Sequence, residues 1–542
     1  MDYKLRYIAD GATEEISFAP KGNFEFGRFS VSATVTGARH TVTVTAKSDA
    51  ELLKCTKRAV WTAENGDLCF INGYQSWTKT KEYFLSETEH NVKKLPKPLV
   101  NAFSFDRYGD TTFFDYDKNL LHGYDLFYEK GAAGAFIINV NYKNAYLIIL
   151  TDRSTGEVSI RSELDGLTLK KGETFTVIDY YLSDGYDKGI AILDELFPKK
   201  QTKKILGYTS WYNYYQNVSE SIVLRDLEGL DGRFDLFQID DGFETFVGDW
   251  KDIDKAKFPN GLKGIVDKIH EKGYTAGVWL APFVAEEKSK VFQEHPEWFS
   301  FDGEKVKCGS NWSGFYALNL QKDGVKEYIA DCLRYFIDLG FDFFKLDFLY
   351  AANLPVYKGK TRSQVAEAAY DFLRETLKGK TILGCGATLF NAAGKFEYMR
   401  IGPDVSLKFD DVWFMRFMHN ERISTKVTLQ NTIYRSIFDG RLFGNDPDVF
   451  LLRDDNISLS KAQKRSLITL NALFGSVLMT SDDIGKYDGE KKAALDKALN
   501  LSKNAVVRSF ERKHDIISIT YDLGGKTFAI DYNYKKGVIY ER

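Results

Sequence analysis

Short apolar runs alternate with helical patterns through the second half of the sequence, and this alternation restricts the fold more than any other feature. Strands that alternate with helices favour parallel pairing, and eight such units predict a (β/α)8 TIM barrel. The third-to-fourth connection is unusually long, and the fifth-to-sixth is too short for a full helix. The candidate strands cover residues 206–211, 235–240, 275–281, 342–349, 381–386, 398–404, 441–446 and 477–482.

The sequence before and after this region has a different pattern. Up to about residue 185, apolar and polar residues alternate in short runs that turn residues separate, which predicts a large antiparallel sandwich. The same alternation returns at the end of the sequence. We therefore predict a multidomain α/β and β protein with an N-terminal antiparallel β-sandwich (1–185), a helical linker (186–202), a catalytic (β/α)8 barrel (203–503) and a small C-terminal antiparallel β-sheet domain (504–542).

Composition excludes several classes of function. The 542 residues carry a formal net charge of only −3 without a basic stripe, which argues against a nucleic-acid partner. No apolar run is long enough to cross a membrane, and the first residues lead directly into a strand pattern without a signal sequence. The five cysteines are scattered without a CxxC pair, so we expect a reduced, cytoplasmic protein. The oligomeric state stays open.

The run Phe343-Phe344-Lys345-Leu346-Asp347-Phe348-Leu349 places two charged residues inside an apolar strand. Alternate residues of a strand share a face, so Lys345 and Asp347 point the same way. Burying a charge costs free energy unless it is paired. The pair is therefore either a structural ion pair or a carboxylate that a neighbouring ammonium keeps ionised for nucleophilic attack.

Polar and aromatic residues collect at the carboxyl ends of the predicted barrel strands. A single acidic strand end usually caps the next helix, but acids on most strands at one end indicate an active site. We predict no metal in this site, because the seven histidines are dispersed without ligand spacing and Lys345 would repel a cation. The strand-end residues are Trp211, Tyr212, Asn213, Asp240, Asp241, Trp279, Lys345, Asp347, Cys385, Arg400, Asp404, Asn445, Asp446, Asp482 and Asp483.

Two acids on either side of a sugar-sized site are typical of glycoside hydrolysis. Longer motifs surround these residues: Asn72-Gly73-Tyr74-Gln75-Ser76-Trp77, Phe237-Gln238-Ile239-Asp240-Asp241-Gly242, Gly248-Asp249-Trp250, Phe344-Lys345-Leu346-Asp347-Phe348, Gly384-Cys385-Gly386, Met399-Arg400-Ile401-Gly402-Pro403-Asp404 and Asn445-Asp446-Pro447-Asp448. Together these motifs resemble glycoside hydrolase family 36, and most closely its compact bacterial α-galactosidases. The resemblance covers the whole predicted barrel in order and extends to the 72–77 loop of the N-terminal region.

The resemblance implies a role for each site residue. Asp347 would be the nucleophile and Asp404 the general acid/base, while Asp240 and Asp241 would bind the galactose hydroxyls at C4 and C6. An aromatic residue of the 72–77 loop, Tyr74 or Trp77, would close the site. Residues that would line or adjoin the sugar are Lys345, Trp279, Cys385, Arg400, Trp211 and Tyr212.

Two segments depart from the family pattern. Ala387-Thr388-Leu389 follows Cys385-Gly386 where a proline is expected, and the sequence after Asp404 is unlike that of relatives. Both would lie near the C2 substituent or the leaving group. Arg400 and Asp404 share a strand face, but a neighbouring arginine lowers the pKa of an acid, so we expect Arg400 to contact the sugar or another carboxylate.

We therefore interpret the sequence as a retaining exo-α-galactosidase that needs no cofactor and acts on α-galactoside oligosaccharides. The same chemistry on an α-N-acetylgalactosaminide or α-galactosaminide is one alternative, and galactosyl transfer to another sugar is a second. A sugar-binding protein without catalysis is a third, which Asp347 and Asp404 argue against, since binding alone requires neither.

Overall fold

Apolar and polar residues alternate in the N-terminal part of the chain. These segments form strands, because successive side chains of a strand point to opposite faces. The computed structural model describes residues 3–64, 66–88, 97–131, 134–411, 416 and 420–542. Its first elements are β1 Tyr3–Ala9, β2 Ala12–Phe18, β3 Gly22–Glu25, β4 Phe29–Thr36, β5 Arg39–Ala46, β6 Ala50–Thr62, β7 Leu68–Ile71, β8 Lys81–Phe84, α1 Lys97–Phe103, β9 Leu120–Tyr124, β10 Leu126–Lys130, β11 Ala135–Asn139, β12 Leu147–Asp152, β13 Glu157–Leu169 and β14 Thr174–Asp184.

These strands make two antiparallel sheets, which confirms the predicted N-terminal pattern. One sheet has six strands in the order β2-β1-β6-β13-β12-β9, and the other has eight in the order β3-β4-β5-β14-β11-β10-β7-β8. Both sheets contribute to one buried core, with Leu5 and Leu52 from the first and Val31 and Val44 from the second. The alternate side chains of each sheet therefore meet in a shared interior.

Helices and parallel strands then alternate, as the sequence pattern predicts. Side chains cap the N-termini of two of these helices. Thr361 and Gln364 form a capping box before the helix Arg362–Thr376, and Ser460 and Gln463 form one before the helix Lys461–Phe474. The elements are α2 Tyr186–Leu196, β15 Ile205–Thr209, α3 Trp211–Tyr214, α4 Glu220–Gly229, β16 Leu236–Ile239, α5 Lys263–Glu271, β17 Thr275–Leu280, β18 Val284–Glu286, α6 Lys290–Glu294, β19 Ser300–Phe301, β20 Glu304–Lys305, β21 Lys307–Gly309, β22 Phe315–Ala317, α7 Val325–Leu339, β23 Phe343–Leu346, α8 Arg362–Thr376, β24 Thr381–Gly384, α9 Leu389–Ala392, β25 Tyr398–Arg400, α10 Thr425–Tyr434, β26 Gly444–Asp446, β27 Val449–Phe450, α11 Lys461–Phe474, β28 Val477–Thr480 and α12 Gly489–Asn504, with short 3-10 helices at Tyr215–Asn217, Pro296–Phe299, Leu349–Ala352, Arg435–Phe438 and Ile484–Lys486.

The parallel sheet brings all eight predicted strand positions side by side. Its order is β26-β25-β24-β23-β17-β16-β15-β28-β27. The two outermost members, β26 and β27, are separated in sequence only by Pro447 and Asp448. The row of strands therefore ends next to where it begins. All of its carboxyl ends lie at one edge, because every pair in it is parallel.

The end of the chain forms a separate antiparallel sheet. Its strands are β29 Val506–Lys513, β30 Ile516–Leu523, β31 Lys526–Asn533 and β32 Val538–Glu541, paired in sequence order. The domain boundaries at residues 185, 202 and 503 stay a prediction. The five cysteines are all buried thiols without disulfides. Within the described part of the chain, no helix has the length and apolar character to span a membrane.

A buried arginine fixes the 72–77 loop of the N-terminal region against the parallel sheet. The Arg435 guanidinium donates to the backbone carbonyls of Gln75 at 3.0 Å and Ile401 at 2.9 Å, and also to the carbonyl of Ser76. A planar group with five N–H donors can satisfy several carbonyls at once. Arg435 thereby positions the loop that carries Trp77 at the carboxyl edge of the sheet.

Candidate active site

Asp347 follows immediately after β23, and hydrogen bonds fix its carboxylate. The indole N–H of Trp279 donates to Oδ2 at 3.0 Å, and the backbone N–H of Phe348 donates to Oδ1 at 2.8 Å. Phe348 has a φ of 53°, a left-handed conformation that sharply turns the chain away from the strand. The carboxylate is therefore held in one orientation at the carboxyl edge of the sheet.

The direct partner of Lys345 is Asp240 on a neighbouring part of the sheet. The ammonium lies 2.8 Å from Asp240 Oδ2, and both side chains are buried. Burial opposes the charged form of Lys345, but the charges of Asp240 and then Asp347 outweigh it and raise the lysine pKa above its usual range. Lys345 thus makes an ion pair with Asp240 and adds positive charge near Asp347.

Asp240 is surrounded by hydrogen-bond donors. Its Oδ2 accepts from Thr209 Oγ1 at 3.0 Å and Gln238 Nε2 at 2.7 Å in addition to Lys345, and its Oδ1 accepts from the backbone N–H of Asp241 at 3.1 Å. Several donors to an ionised carboxylate compensate for its burial. Asp240 is therefore a rigid anionic group in the wall of the site.

Asp241 lies beside Glu244, and the sequence did not predict this pair of acidic side chains. Its Oδ2 accepts from the Trp312 indole N–H at 2.9 Å, and burial raises its pKa to about 6. The buried Glu244 beside it has a pKa well above the usual range, because burial and the Asp241 charge both disfavour its anion. Burial and the Asp241 charge thus favour the protonated form of Glu244, and a protonated carboxyl can donate a hydrogen bond to the neighbouring carboxylate.

Arg400 is shared by three carboxylates at the ends of the next strands. It contacts Asp404 at 3.0 Å, Asp446 at 2.9 Å and Asp448 at 2.9 Å. The expected contact of Arg400 with another carboxylate is present, and Arg400 also contacts Asp404 directly. One positive charge divided among three acids does not hold all of them ionised equally well.

The pKa of Asp404 is raised to about 6, as a general acid requires. Burial of the group is the main cause and the negative charge of Asp448 is the second, and together they outweigh Arg400. The Asp404 side chain is 33% exposed, so a ligand can reach its carboxyl group. Asp448 is itself held by Tyr212, whose hydroxyl donates to Oδ2 at 2.5 Å.

Two adjoining cavities open at this edge, and Asp347 and Asp404 line both. We call the first the polar pocket; its volume is about 370 Å³. We call the second the aromatic cavity; its volume is about 480 Å³. The polar pocket is lined by Trp211, Tyr215, Gln216, Asn217, Asp240, Asp241, Trp279, Asn311, Trp312, Lys345, Asp347, Phe348 and Asp404.

The other predicted site residues lie at the aromatic cavity or behind the walls. Trp77 lines the aromatic cavity and donates its indole N–H to the Cys385 sulfur at 3.2 Å. Tyr74 of the same loop lies away from both cavities, where its hydroxyl accepts from Asn353 at 2.9 Å. Of the two loop aromatics, Trp77 is thus the one at the site. Cys385, Arg400 and Tyr212 are buried behind residues that line the cavities.

Sequence reasoning missed several residues of the polar pocket. Asn311 and Trp312 lie in the long third-to-fourth connection, and Tyr215 and Gln216 follow the first strand. The length of that connection was the available signal, because long loops at the carboxyl end of a barrel carry binding residues. Within the described ranges, no group of three histidine, cysteine, aspartate or glutamate residues is arranged to hold a metal ion.

The raised pKa of Asp404 predicts the pH dependence of turnover. For a substrate that needs protonation, kcat/KM should fall as pH rises above about 6, because Asp404 loses its proton. The Asp448→Asn variant removes a negative charge that stabilises the protonated form of Asp404. Its alkaline limb should therefore move to lower pH by roughly one pH unit.

Asp446→Asn is the matched control for Asp448→Asn, because Asp446 contacts the Nε edge of Arg400 and not the edge that faces Asp404. It should move the limb less. Complete pH profiles of kcat/KM for the three proteins provide the test. An alkaline limb that Asp448→Asn leaves in place would mean that Asp448 does not set the proton affinity of Asp404.

Part of the chain is similar to a known protein family. Residues 199–376 match the family model described as Melibiase. A stretch of 206 residues is 31% identical to the A type blood α-D-galactosamine galactosaminidase of Flavonifractor plautii and covers 34% of this chain and 19% of that protein. A stretch of 156 residues is 28% identical to α-galactosidase Mel36A of Lactobacillus acidophilus and covers 26% and 21%.

The fold is also similar to that of a solved structure. α-Galactosidase TtGalA from Thermus thermophilus, solved with p-nitrophenyl α-D-galactopyranoside, superposes with a TM-score of 0.71 at 23% identity, over 92% of this chain and 98% of that one. The sequence matches, in contrast, span a quarter or less of the first curated relatives' own lengths. Residues 199–376 are thus similar to the melibiase family, and the resemblance of this chain to the α-galactosidases of glycoside hydrolase family 36 is confirmed.

Proposed function

We propose that this protein is a retaining exo-α-galactosidase that removes terminal α-D-galactosyl residues from glycosides. The parallel sheet would be a (β/α)8 barrel closed through β26 and β27, with the N-terminal sheets as a β-sandwich at its mouth. Similarity to α-galactosidases supports the activity. The cytoplasmic location stays a prediction.

Two carboxylic acids divide the chemistry. Asp347 attacks the anomeric carbon, while protonated Asp404 gives its proton to the glycosidic oxygen as the bond to the leaving group breaks. A covalent galactosyl ester of Asp347 results. Asp404, now a carboxylate, takes a proton from water as that water attacks the anomeric carbon and releases galactose and free Asp347. The configuration is retained because it is inverted twice.

One observation supports this proposal most: Asp347 and Asp404 lie where the polar pocket meets the aromatic cavity. A fixed, hydrogen-bonded carboxylate suits the nucleophile, and an acid of raised pKa suits proton donation. A sugar in the polar pocket would present its anomeric carbon at this junction. Its leaving group would then occupy the aromatic cavity, which is the arrangement of an exo-acting enzyme.

The buried acids of the polar pocket support selectivity for galactose. Asp240 and Asp241 both line it, and sugar hydroxyls are donors for such carboxylates. An axial C4 hydroxyl distinguishes a galactoside from a glucoside. If a buried carboxylate loses its donor when a glucoside binds, the cost is about 1–3 kcal/mol. We therefore expect kcat/KM to favour the α-galactoside over the α-glucoside by at least about tenfold.

The test is a panel of p-nitrophenyl glycosides with one leaving group and different sugars. The panel comprises the α-galactoside, α-glucoside, α-N-acetylgalactosaminide and α-galactosaminide. The α-galactoside should have the highest kcat/KM, and NMR of the first-formed sugar should give the α anomer. A different best substrate, or first-formed β-galactose, would overturn the proposal.

A galactosaminidase is the second candidate, and two observations favour it. A stretch of 206 residues of this chain is 31% identical to the galactosaminidase of Flavonifractor plautii. Four acidic side chains line the polar pocket against one buried lysine, which would suit the protonated amine of a galactosaminide. The α-galactosaminide arm of the panel decides between the two, since it differs from the α-galactoside only at C2.

A further inference from the structure

The aromatic cavity has a wall made by two parts of the chain. Phe103 and Phe105, from the end of α1 and the turn after it, stack with ring centroids 5.2 Å apart. Trp77 packs edge-on against Phe348 of the parallel-sheet region at 5.3 Å. The apolar and aromatic lining residues are Trp77, Phe103, Phe105, Tyr108, Phe348, Pro403 and Ile423.

Large apolar side chains are exposed in this wall. Phe103 is 52% exposed and Ile423 is 55% exposed, and both belong to the set of seven large exposed hydrophobic residues in the described chain. Exposed apolar side chains that converge on one cavity indicate a binding surface rather than a random surface position. Here the surface continues directly to Asp347 and Asp404. Its occupant therefore lies beside the bond that breaks.

Several of the polar side chains that line this cavity contact other groups of the protein. The Ser310 hydroxyl donates to Ser104 Oγ at 2.9 Å, and Asn311 Oδ1 accepts from the Tyr108 hydroxyl at 2.9 Å. The Arg422 guanidinium lies 3.4 Å from Asp410 Oδ1. A sugar leaving group has many hydroxyls to satisfy and would have to compete with these contacts. An apolar group would need none of them.

We propose that the aromatic cavity binds an apolar alkyl or aryl aglycone, so that the preferred substrates are α-galactosides of hydrophobic alcohols and phenols rather than of sugars. This inference rests on the proposed α-galactosidase activity and specifies its leaving group. Binding would come from burial of the apolar chain or ring against Phe103, Phe105 and Ile423. The polar pocket would hold the galactose as before.

The test compares methyl α-galactoside, n-octyl α-galactoside below its micelle concentration, and melibiose, with p-nitrophenyl α-galactoside as the activity control. Methanol and octanol are alcohols of similar acidity, so they need the same protonation and differ in apolar contact. We expect kcat/KM for the octyl galactoside to exceed that for the methyl galactoside at least tenfold. Melibiose should not exceed the octyl galactoside.

Three variants connect any preference to the cavity. Phe103→Ser and Ile423→Ser should each lower the octyl-to-methyl ratio at least threefold, because each removes apolar surface from the wall. Val356→Ser is the matched control, since Val356 is 62% exposed and does not line the cavity. It should leave the ratio unchanged. Thermal unfolding of each variant verifies that it is folded, and the two wall variants test the same point independently.

The outcomes separate this inference from the proposed function. An octyl-to-methyl ratio near one, or melibiose as the best substrate, overturns the apolar aglycone while leaving the galactosidase intact. A tenfold ratio that both wall variants preserve overturns the assignment to this cavity. If p-nitrophenyl α-galactoside is itself not hydrolysed, the proposed function fails and the inference fails with it.

Discussion

Replacing Asp347 with asparagine or glycine should lower kcat on α-galactosides by at least about 10⁴-fold while the protein stays folded. Neither side chain can form the galactosyl ester, so both steps of the double displacement are lost. The fold should tolerate asparagine, whose carbonyl can still accept one of the two hydrogen bonds from Trp279 and Phe348. The second donor is left unpaired at a cost of about 1–3 kcal/mol.

The measurement is steady-state turnover of p-nitrophenyl α-galactoside beside a thermal unfolding curve. Asp323→Asn is the matched control, because it makes the same change at an exposed aspartate that lines neither cavity. It should keep full activity. Turnover by a folded Asp347→Asn protein within about tenfold of the unaltered protein would remove Asp347 from the nucleophile's role.

Asp404→Ala should have an effect that depends on the leaving group. Alkyl and sugar leaving groups need a proton as the glycosidic bond breaks, so kcat/KM for them should fall by about 10²–10⁴-fold. A p-nitrophenolate leaves without that proton, so its kcat/KM should fall by less than about tenfold. The second step still needs a base, and kcat for the aryl substrate should therefore become limited by deglycosylation.

Added azide distinguishes a general acid/base from a binding residue at position 404. Azide is a nucleophile that needs no base, so it should attack the galactosyl ester of Asp347 in place of water, raise kcat of Asp404→Ala on the aryl substrate and yield α-galactosyl azide. Asp446→Ala is a suitable comparison, since it removes another acid from the same arginine. An equal loss on alkyl and aryl substrates, without azide rescue, would make Asp404 a binding residue.

The strand positions could be predicted because burial on both faces leaves a strong pattern in the sequence. All eight runs overlap observed strands, and the short fifth-to-sixth connection indeed holds only the one-turn helix Leu389–Ala392. Parallel pairing then brings strand ends together at one edge. Polar strand-end residues such as Asp240 and Asp404 could therefore be assigned to one site without knowledge of any side-chain contact.

The partners of the charged residues could not be predicted in the same way. The sequence pattern places Lys345 and Asp347 on one strand face, yet β23 ends at Leu346 and the Lys345 ammonium contacts Asp240 across the sheet. Which strand lies beside which is a consequence of topology and register, neither of which a local pattern contains. The same reason explains Glu244, whose proximity to Asp241 depends on the turn at Gly242, where φ is 118°.

The loop aromatics illustrate a further limit. Tyr74 and Trp77 are three residues apart in one loop, and the resemblance could not decide which of them reaches the site. Contacts made by Arg435 with the loop carbonyls determine its orientation, and Arg435 lies more than three hundred residues away in sequence. These contacts place Trp77 at the aromatic cavity and Tyr74 among buried tyrosines.

The most direct test of the proposed mechanism is covalent trapping of the nucleophile. A slow fluorinated α-galactosyl substrate with an activated leaving group should inactivate the enzyme in a time-dependent manner, with one galactosyl group bound per chain. Mass spectrometry of the digested protein should locate that group on Asp347, and free galactose should protect against labelling. A label on any other residue, or inactivation without a covalent adduct, would contradict the double-displacement account.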